Sequence, residues 1–390
     1  LVATLFARCF STPLDYKLRP VRAAVYDFIS AVFDAAPELV ARFGTDVFQT
    51  HFDFAFSKKI AVVPRVSRTG FRGIVNLGTT CYINSVIQQL FMMKDFRAAL
   101  FGVIVDEAMP VTHELQRLFF SLQSGNQEYY HADELIDAVQ RHKNRTDLKT
   151  QQHDASDFLN ILFDCLEEEM SKAAQASVFG QLTLKIDKVT TSLDAATPVN
   201  RTATEEYRVV PLPLQGRKSL SACLDVFFKP ERFTGENKLK TDDGVYFAAV
   251  RRPHIAVLPN YVLIQLNRFD AFGERTIKLN DECTVPLTLD LSKYAQEGDD
   301  GEYVLDSVVV HAGNAQSGHY YTVARVDGQW LEFNDKRIFY ISAETAQQHI
   351  NGGAREVAGY LVVYRKVHAA PTVRDAAHNA AFEAELQEEE

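Results

Sequence analysis

The hydrophobic pattern changes period near residue 178, and that change restricts the fold more than any other feature of the chain. Before it, apolar residues recur every three or four positions. HELQRLFFSLQ, ADELIDAVQRH and QQHDASDFLNILFDCLEEEMSKA each carry one buried helical stripe. In the last, the stripe is Phe158, Leu159, Ile161, Leu162, Cys165 and Leu166. Asp154 is placed to cap that helix, with Asp157 three residues on, in the manner of a capping box. After residue 178, short runs alternate: FGQLTLKID, EYRVVPL, VYFAAV, YVLIQLNRF, YVLDSVVVHA, HYYTVARV, QWLEFN, RIFYIS and GYLVVYRK. Turn signals such as Asp327-Gly328 separate them. Helices first and antiparallel strands second imply an α+β fold, with a cleft where the two halves meet.

Residues 1–69 read as a helical extension and linker. VRAAVYDFISAVFDA has near-helical spacing, PELVARFGTD is a second short helix ended by Gly44, and an extended linker follows. Residues 368–390 end in a run of glutamates, expected to be an acidic helical or disordered tail. The chain starts at Leu1 and not Met, which reads as an excerpt from something longer. At 46% hydrophobic and 24% charged residues it can build a sizeable core. A formal charge of -10 argues against nucleic acid as a partner and for a basic one. No apolar run is long enough to span a bilayer, so no membrane partner is expected. The five cysteines, Cys9, Cys81, Cys165, Cys223 and Cys283, form no CxxC pair and complete no disulfide framework. Reduced thiols in the cytoplasm or nucleus are the simple expectation.

One of those thiols has a reason to be a nucleophile. In GIVNLGTTCYINSVIQQL, a glycine-punctuated loop runs into an amphipathic helix of roughly fourteen residues, with Cys81 at the junction. Backbone N–H groups at a helix start and the macrodipole favour the thiolate. Asn76, five residues earlier, can donate its amide to an oxyanion alongside the Cys81 N–H. Thr79 and Thr80 are candidate helix caps, and Gly73 and Gly78 let the loop turn tightly. Far downstream, NAQSGHYYTVARVDGQWLEFND offers His319 as general base and acid, with Asn334 or Asp335 to orient its ring. Gly318 leaves room beside it for a substrate with little side chain. Each residue has a plainer reading: a buried Cys as a small hydrophobe, a strand His as a core residue, an Asn-Asp pair as a turn. The three in this order are what point to a cysteine hydrolase.

These segments resemble the ubiquitin-specific protease family. GIVNLGTTCYINSVIQQL is similar to its cysteine box and YVLDSVVVHAGNAQSGHYYTVARVDGQWLEFND to its histidine box. QQHDASDFL and LPNYVLIQLNRFD are similar to the segments between them. The SVIQQL phrasing and the helical lead-in resemble the fat-facets-like branch, in which the catalytic domain follows a long helical array. The resemblance implies a papain-like catalytic domain over 70–367, with a helical thumb, a palm, and β fingers within about 178–260. It implies Cys81 as nucleophile, His319 as base, Asn334 as the third residue with Asp335 beside it, and Asn76 as oxyanion donor. Asp154, Asp157, Gly318 and Tyr320 would meet the C-terminal tail of ubiquitin. The implied partners are ubiquitin and ubiquitinated proteins, and further ones through sequence outside the excerpt. Many members hold a finger zinc with two CxxC pairs. Thr241 and Gly244 stand where the second pair would be, so no zinc of that type, and no other cofactor, is expected. A degenerate domain that binds ubiquitin without cutting it, or the same chemistry on a ubiquitin-like modifier, are the competing readings.

Overall fold

The computed structural model describes residues 69–368, save 126, 273–274, 297–299 and 354–355. The expected N-terminal helices, the linker before Thr69 and the acidic tail lie outside the described residues. The chain divides into two compact units, and the one treated below comprises Ser67–Gln123 and Tyr129–Arg374.

Eight described helices are α1 (Cys81–Met92), α2 (Lys94–Phe101), α3 (Pro110–Ser124), α4 (Asp133–His142), α5 (Ala155–Glu169), α6 (Lys172–Phe179), α7 (Leu220–Phe227) and α8 (Ala343–Asn351). The first six precede almost every strand, as the change of period requires. Two short strands, β1 (Gly73–Ile74) and β2 (Tyr129–Tyr130), pair in parallel among them. The strands of the second half begin with β3 (Leu184–Ser192), β4 (Asn200–Tyr207), β5 (Val210–Pro213), β6 (Glu231–Phe233), β7 (Leu239–Lys240), β8 (Tyr246–Phe247) and β9 (Ala249–Val257). They continue with β10 (Tyr261–Asn267), β11 (Phe269–Phe272), β12 (Arg275–Lys278), β13 (Thr288–Asp290), β14 (Glu302–Gly313), β15 (Gly318–Val326), β16 (Gln329–Asn334), β17 (Arg337–Ile341) and β18 (Val357–Lys366).

An eight-stranded sheet runs β17-β16-β15-β14-β18-β10-β5, with β13 added to β14. A separate four-stranded sheet, β4-β3-β9-β6, and the small β7–β8 pair project from the middle of the sequence. Asp327 and Gly328 both have positive φ and join β15 to β16 by a two-residue turn, the geometry that matches strand twist in tight hairpins.

Helix α1 lies between the large sheet and α5. All twelve of its residues are buried, which corrects the amphipathic, fourteen-residue expectation. The side-chain donors of its polar residues find partners inside. Gln88 Nε2 donates to the Arg72 carbonyl at 2.8 Å and Gln89 Nε2 to the Leu361 carbonyl at 3.0 Å. Ser85 passes its hydroxyl to the Tyr82 carbonyl, and its own carbonyl accepts from the Thr322 hydroxyl. An amide buried without such a partner would cost about 1–3 kcal/mol, so these bonds let a polar face sit in the core. The outcome is a rigid axle with Cys81 at its first turn.

Candidate active site

The loop before α1 is shaped by Asn76. Its Oδ1 accepts from the Gly78 N–H at 2.9 Å and the Thr80 N–H at 3.1 Å, while Gly78 takes a φ of +114°. With Oδ1 so engaged, Nδ2 faces the other way and donates to Asp335 Oδ2 at 3.0 Å. One amide hydrogen remains free of that bond. Neither threonine caps α1, contrary to expectation. Thr80 Oγ1 accepts from the Leu77 N–H at 3.0 Å within the folded-back loop, and Thr79 donates to the Lys149 carbonyl of the segment before α5 at 3.0 Å, so neither hydroxyl is left for the helix. Cys81 follows at once and is 3% exposed.

The imidazole comes from β15 and its support from β16. His319 Nε2 lies 2.8 Å from Asn334 Oδ1 and 3.9 Å from Asp335 Oδ2. Nδ1 is the ring nitrogen left for the sulfur. Cys81 is the largest influence on His319. It outweighs the opposing effect of burial and, helped by Asn334, raises the imidazole to about 9. Asp335 has other duties: its two oxygens take Asn76 and, at 2.8 Å, the buried Asn84 Nδ2 of α1. Its carbonyl accepts from the Ile74 N–H at 3.0 Å. The turn of Asp335 and Lys336 is tight, with φ +52° at Asp335, and a Cβ on Gly73 would stand 2.5 Å from the Lys336 backbone. Only glycine lets the cysteine loop lie this close to the β16–β17 hairpin.

A cleft of about 400 Å³ opens beside Cys81, with Asp154, Asp157, His311, Gly318 and Tyr320 in its wall. Asp154 does cap α5, accepting from the Ser156 N–H at 2.7 Å and the Asp157 N–H at 3.3 Å. It also takes the Tyr360 hydroxyl at 2.8 Å and the Tyr320 hydroxyl at 3.1 Å. Burial holds its carboxyl above the usual range despite these donors. Asp157 is exposed. The Cβ direction at Gly318 is filled, although the residue lines the cleft: a Cβ there would meet His311 Nε2 at 2.1 Å and the Ala312 carbonyl oxygen at 2.8 Å. His311 is buried, pushed down to about 3 by desolvation and then by Lys278 and His319, and so stays neutral.

A family model described as ubiquitin carboxyl-terminal hydrolase matches residues 72–364. The chain belongs to the ubiquitin carboxyl-terminal hydrolase family. It is 29% identical over 301 residues to Ubiquitin carboxyl-terminal hydrolase 5 of Schizosaccharomyces pombe, covering 73% of this chain and 26% of that one. To Ubiquitin carboxyl-terminal hydrolase 47 of Homo sapiens it is 29% identical over 403 residues, covering 81% and 28%. To Ubiquitin carboxyl-terminal hydrolase 15 of Saccharomyces cerevisiae it is 28% identical over 308 residues, covering 72% and 24%. The chain thus spans about a quarter of the length of these relatives.

Family membership raises the finger zinc, and the residues present do not fit it. Thr241 Oγ1 accepts from the Val245 N–H at 3.0 Å and the Thr241 N–H donates to the Val245 carbonyl at 2.9 Å, so backbone and hydroxyl close the β7–β8 hairpin. Cys165, Cys223 and Cys283 are buried elsewhere, in the cores of the family domain. Four thiolates cannot meet at this hairpin. Among residues the sequence did not single out, Asn84 binds Asp335 from α1, and Glu332 accepts from Asn334 Nδ2 at 2.9 Å. A helix asparagine and a strand glutamate carry no local signal for such roles.

Proposed function

We propose that this chain is the catalytic domain of a cysteine-dependent deubiquitinase, hydrolysing the isopeptide or peptide bond after the C-terminal Gly-Gly of ubiquitin. The observation that carries the reading is the file Cys81–His319–Asn334: Cys81 lines the cleft beside Gly318, and the neighbouring His319 ring is held at Nε2 by Asn334 Oδ1 at 2.8 Å. His319 takes the Cys81 proton to form the nucleophilic thiolate beside an imidazolium. The sulfur attacks the terminal glycine carbonyl, an S–C bond forms, and the carbonyl π electrons move to oxygen. The spare Asn76 hydrogen and the Cys81 N–H receive that oxyanion, a contribution typically worth about a hundredfold or more per donor. Collapse breaks the C–N bond, and the lysine amine leaves with the His319 proton. Neutral His319 then takes a proton from water, the hydroxide attacks the thioester, and collapse returns the thiolate–imidazolium pair. Asn334 keeps the ring turned by accepting from Nε2 throughout.

The cleft wall suits the substrate tail. Asp157 is exposed at its edge for a basic peptide, with Asp154 deeper and shared with the two tyrosines. His311, packed against Gly318, narrows the slot, which favours a tail of glycines. Every catalytic group named comes from the chain, so the reaction as proposed uses no cofactor. The net charge of -10 and the absence of a helix long and apolar enough to cross a membrane among the described residues favour neither nucleic acid nor bilayer as a partner. Four buried, unpaired cysteines suit a reducing compartment, the cytoplasm or nucleus.

The test is release of fluorophore from a ubiquitin C-terminal amide. Hydrolysis that disappears in Cys81→Ala supports the reading, and hydrolysis that survives it removes the thiol from the mechanism. A ubiquitin-tipped electrophile that modifies Cys81 separates a live enzyme from a binding module. Competition by tagged ubiquitin-like modifiers separates their chemistry from ubiquitin's.

A further inference from the structure

The residue that orients His319 is an amide, and an amide has two unlike ends. Asn334 serves the ring only with Oδ1 toward Nε2. Turned over, its NH₂ would face the ring N–H, donor against donor. The two states differ by a half-turn about one soft torsion, so something must choose between them.

Glu332 stands two residues earlier on β16 and therefore on the same side of the strand. Its Oε1 accepts from Asn334 Nδ2 at 2.9 Å, while Asn334 Oδ1 meets His319 Nε2 at 2.8 Å. A carboxyl oxygen in this position accepts, so it selects the amide's donor end. Glu332 is itself just 6% exposed, a rare position for a glutamate. Its second oxygen lies 3.6 Å from His349 Nδ1 on α8, and the same ring nitrogen is 3.0 Å from the Tyr321 hydroxyl. Helix α8 thus places a histidine close behind the carboxylate.

We propose that Glu332 is a positioning residue that locks the Asn334 amide in the orientation serving His319, and through it keeps the ring directed at Cys81. The inference rests on the catalytic reading of Cys81 and His319. A glutamate that merely tethers α8 to the sheet would look the same in a stability measurement, so the discriminating readouts are kinetic.

Three variants test it: Glu332→Leu, which offers no acceptor; Glu332→Gln, which keeps one; and Asn334→Asp, whose carboxylate has two equivalent oxygens and needs no choice made for it. Each is assayed for ubiquitin-amide hydrolysis and for the rate of Cys81 alkylation by iodoacetamide at neutral pH, located by mass spectrometry. Glu332→Leu is expected to lower kcat about tenfold or more with KM nearly unchanged, and to slow alkylation alongside. Glu332→Gln is expected to stay within about threefold of the parent. In the Asn334→Asp background two carboxylates confront one another, so adding Glu332→Gln there is expected to raise kcat. A folded Glu332→Leu protein with parental kcat and alkylation overturns the proposal. So does Glu332→Gln as damaging as Glu332→Leu, or a fall in kcat when it joins Asn334→Asp. If Glu332→Leu does not fold, the Asn334→Asp pair decides. If the parent alkylates rapidly but cuts no ubiquitin, the deubiquitinase reading fails, and alkylation still judges Glu332.

Discussion

Asp335 Oδ2 accepts the Asn76 amide at 3.0 Å, joining two residues 259 positions apart. The same carboxylate grips Asn84 of α1 through its other oxygen. The cysteine loop, helix α1 and the hairpin behind His319 are therefore fixed to one another at a single side chain. Asp335→Ala removes both acceptors and leaves Asn84 buried without its 2.8 Å partner, and alanine is poorly suited to φ +52°. The expected loss is about 2–4 kcal/mol in stability and on the order of tenfold to a hundredfold in kcat as Asn76 drifts. Asp335→Asn tolerates the backbone and keeps one acceptor, so it should lose less of both. Denaturant melts and single-turnover hydrolysis of the two variants check this. Equal effects of Ala and Asn would show that only the charge matters.

The proton on His319 is held chiefly by Cys81. In Cys81→Ala, the imidazole should therefore titrate lower, falling from about 9 back toward its ordinary 6.5, because the largest raising influence is gone while burial still opposes the charge. The sign for turnover follows. Below about 9 the ring can protonate the departing amine, and above it the proton is lost, so kcat/KM for amide substrates should decline on the alkaline side through that value. Histidine proton resonances followed against pH in parent and variant report the first effect. A His319 titration that does not move when the sulfur is removed contradicts the pair.

Gly318→Ala tests how the cleft is packed. The added Cβ meets the His311 ring at 2.1 Å and the Ala312 carbonyl oxygen at 2.8 Å. Overpacking of this kind typically destabilises by about 1–3 kcal/mol, and here it also displaces the residue next to His319. Combining it with His311→Ala removes the ring but not the carbonyl, so part of the activity and stability should return. Thermal melts and hydrolysis of the double variant measure how much. A double variant no better than Gly318→Ala alone would place the conflict entirely on the backbone.

The helix-then-strand order was readable because each half keeps one period over many residues. The Cys81 loop and His319 strand were readable because each is a contiguous segment with its own chemistry. What lay hidden depends on distance. The grip of Asp335 on Asn84 spans 251 positions and involves a residue that looks like an ordinary helix asparagine. Burial of α1 on all sides was masked by Gln88 and Gln89, whose partners are carbonyls on other elements. Strand β4 is polar along its length and exposed, so it shows no apolar alternation to find. Gly318 was read as leaving room for substrate, and it does line the cleft, but the ring its Cβ direction meets, His311, sits across the β14–β15 hairpin and was not foreseen.

The integrity of the β7–β8 hairpin should not depend on metal. The β7–β8 hairpin closes through Thr241 and Val245, with Gly244 at φ +88° completing the turn, and Arg201 reaches Asp242 at 3.2 Å beside it. The ion pair is largely exposed and contributes little, so the threonine hydroxyl and backbone bonds hold the tip. Incubation with a strong zinc chelator is therefore expected to leave hydrolysis and melting temperature unchanged, and the purified protein should carry well under one zinc per chain by elemental analysis. On the proposal that the β7–β8 hairpin belongs to ubiquitin-gripping fingers, Thr241→Val, which keeps the size but loses the hydroxyl, should weaken ubiquitin capture by about twofold to tenfold through KM while kcat stays near the parent. Stoichiometric zinc, or hydrolysis abolished by the chelator, would mean that other donors assemble a site there. A fall in kcat with KM unchanged in Thr241→Val would mean that the fingers communicate with the thiol.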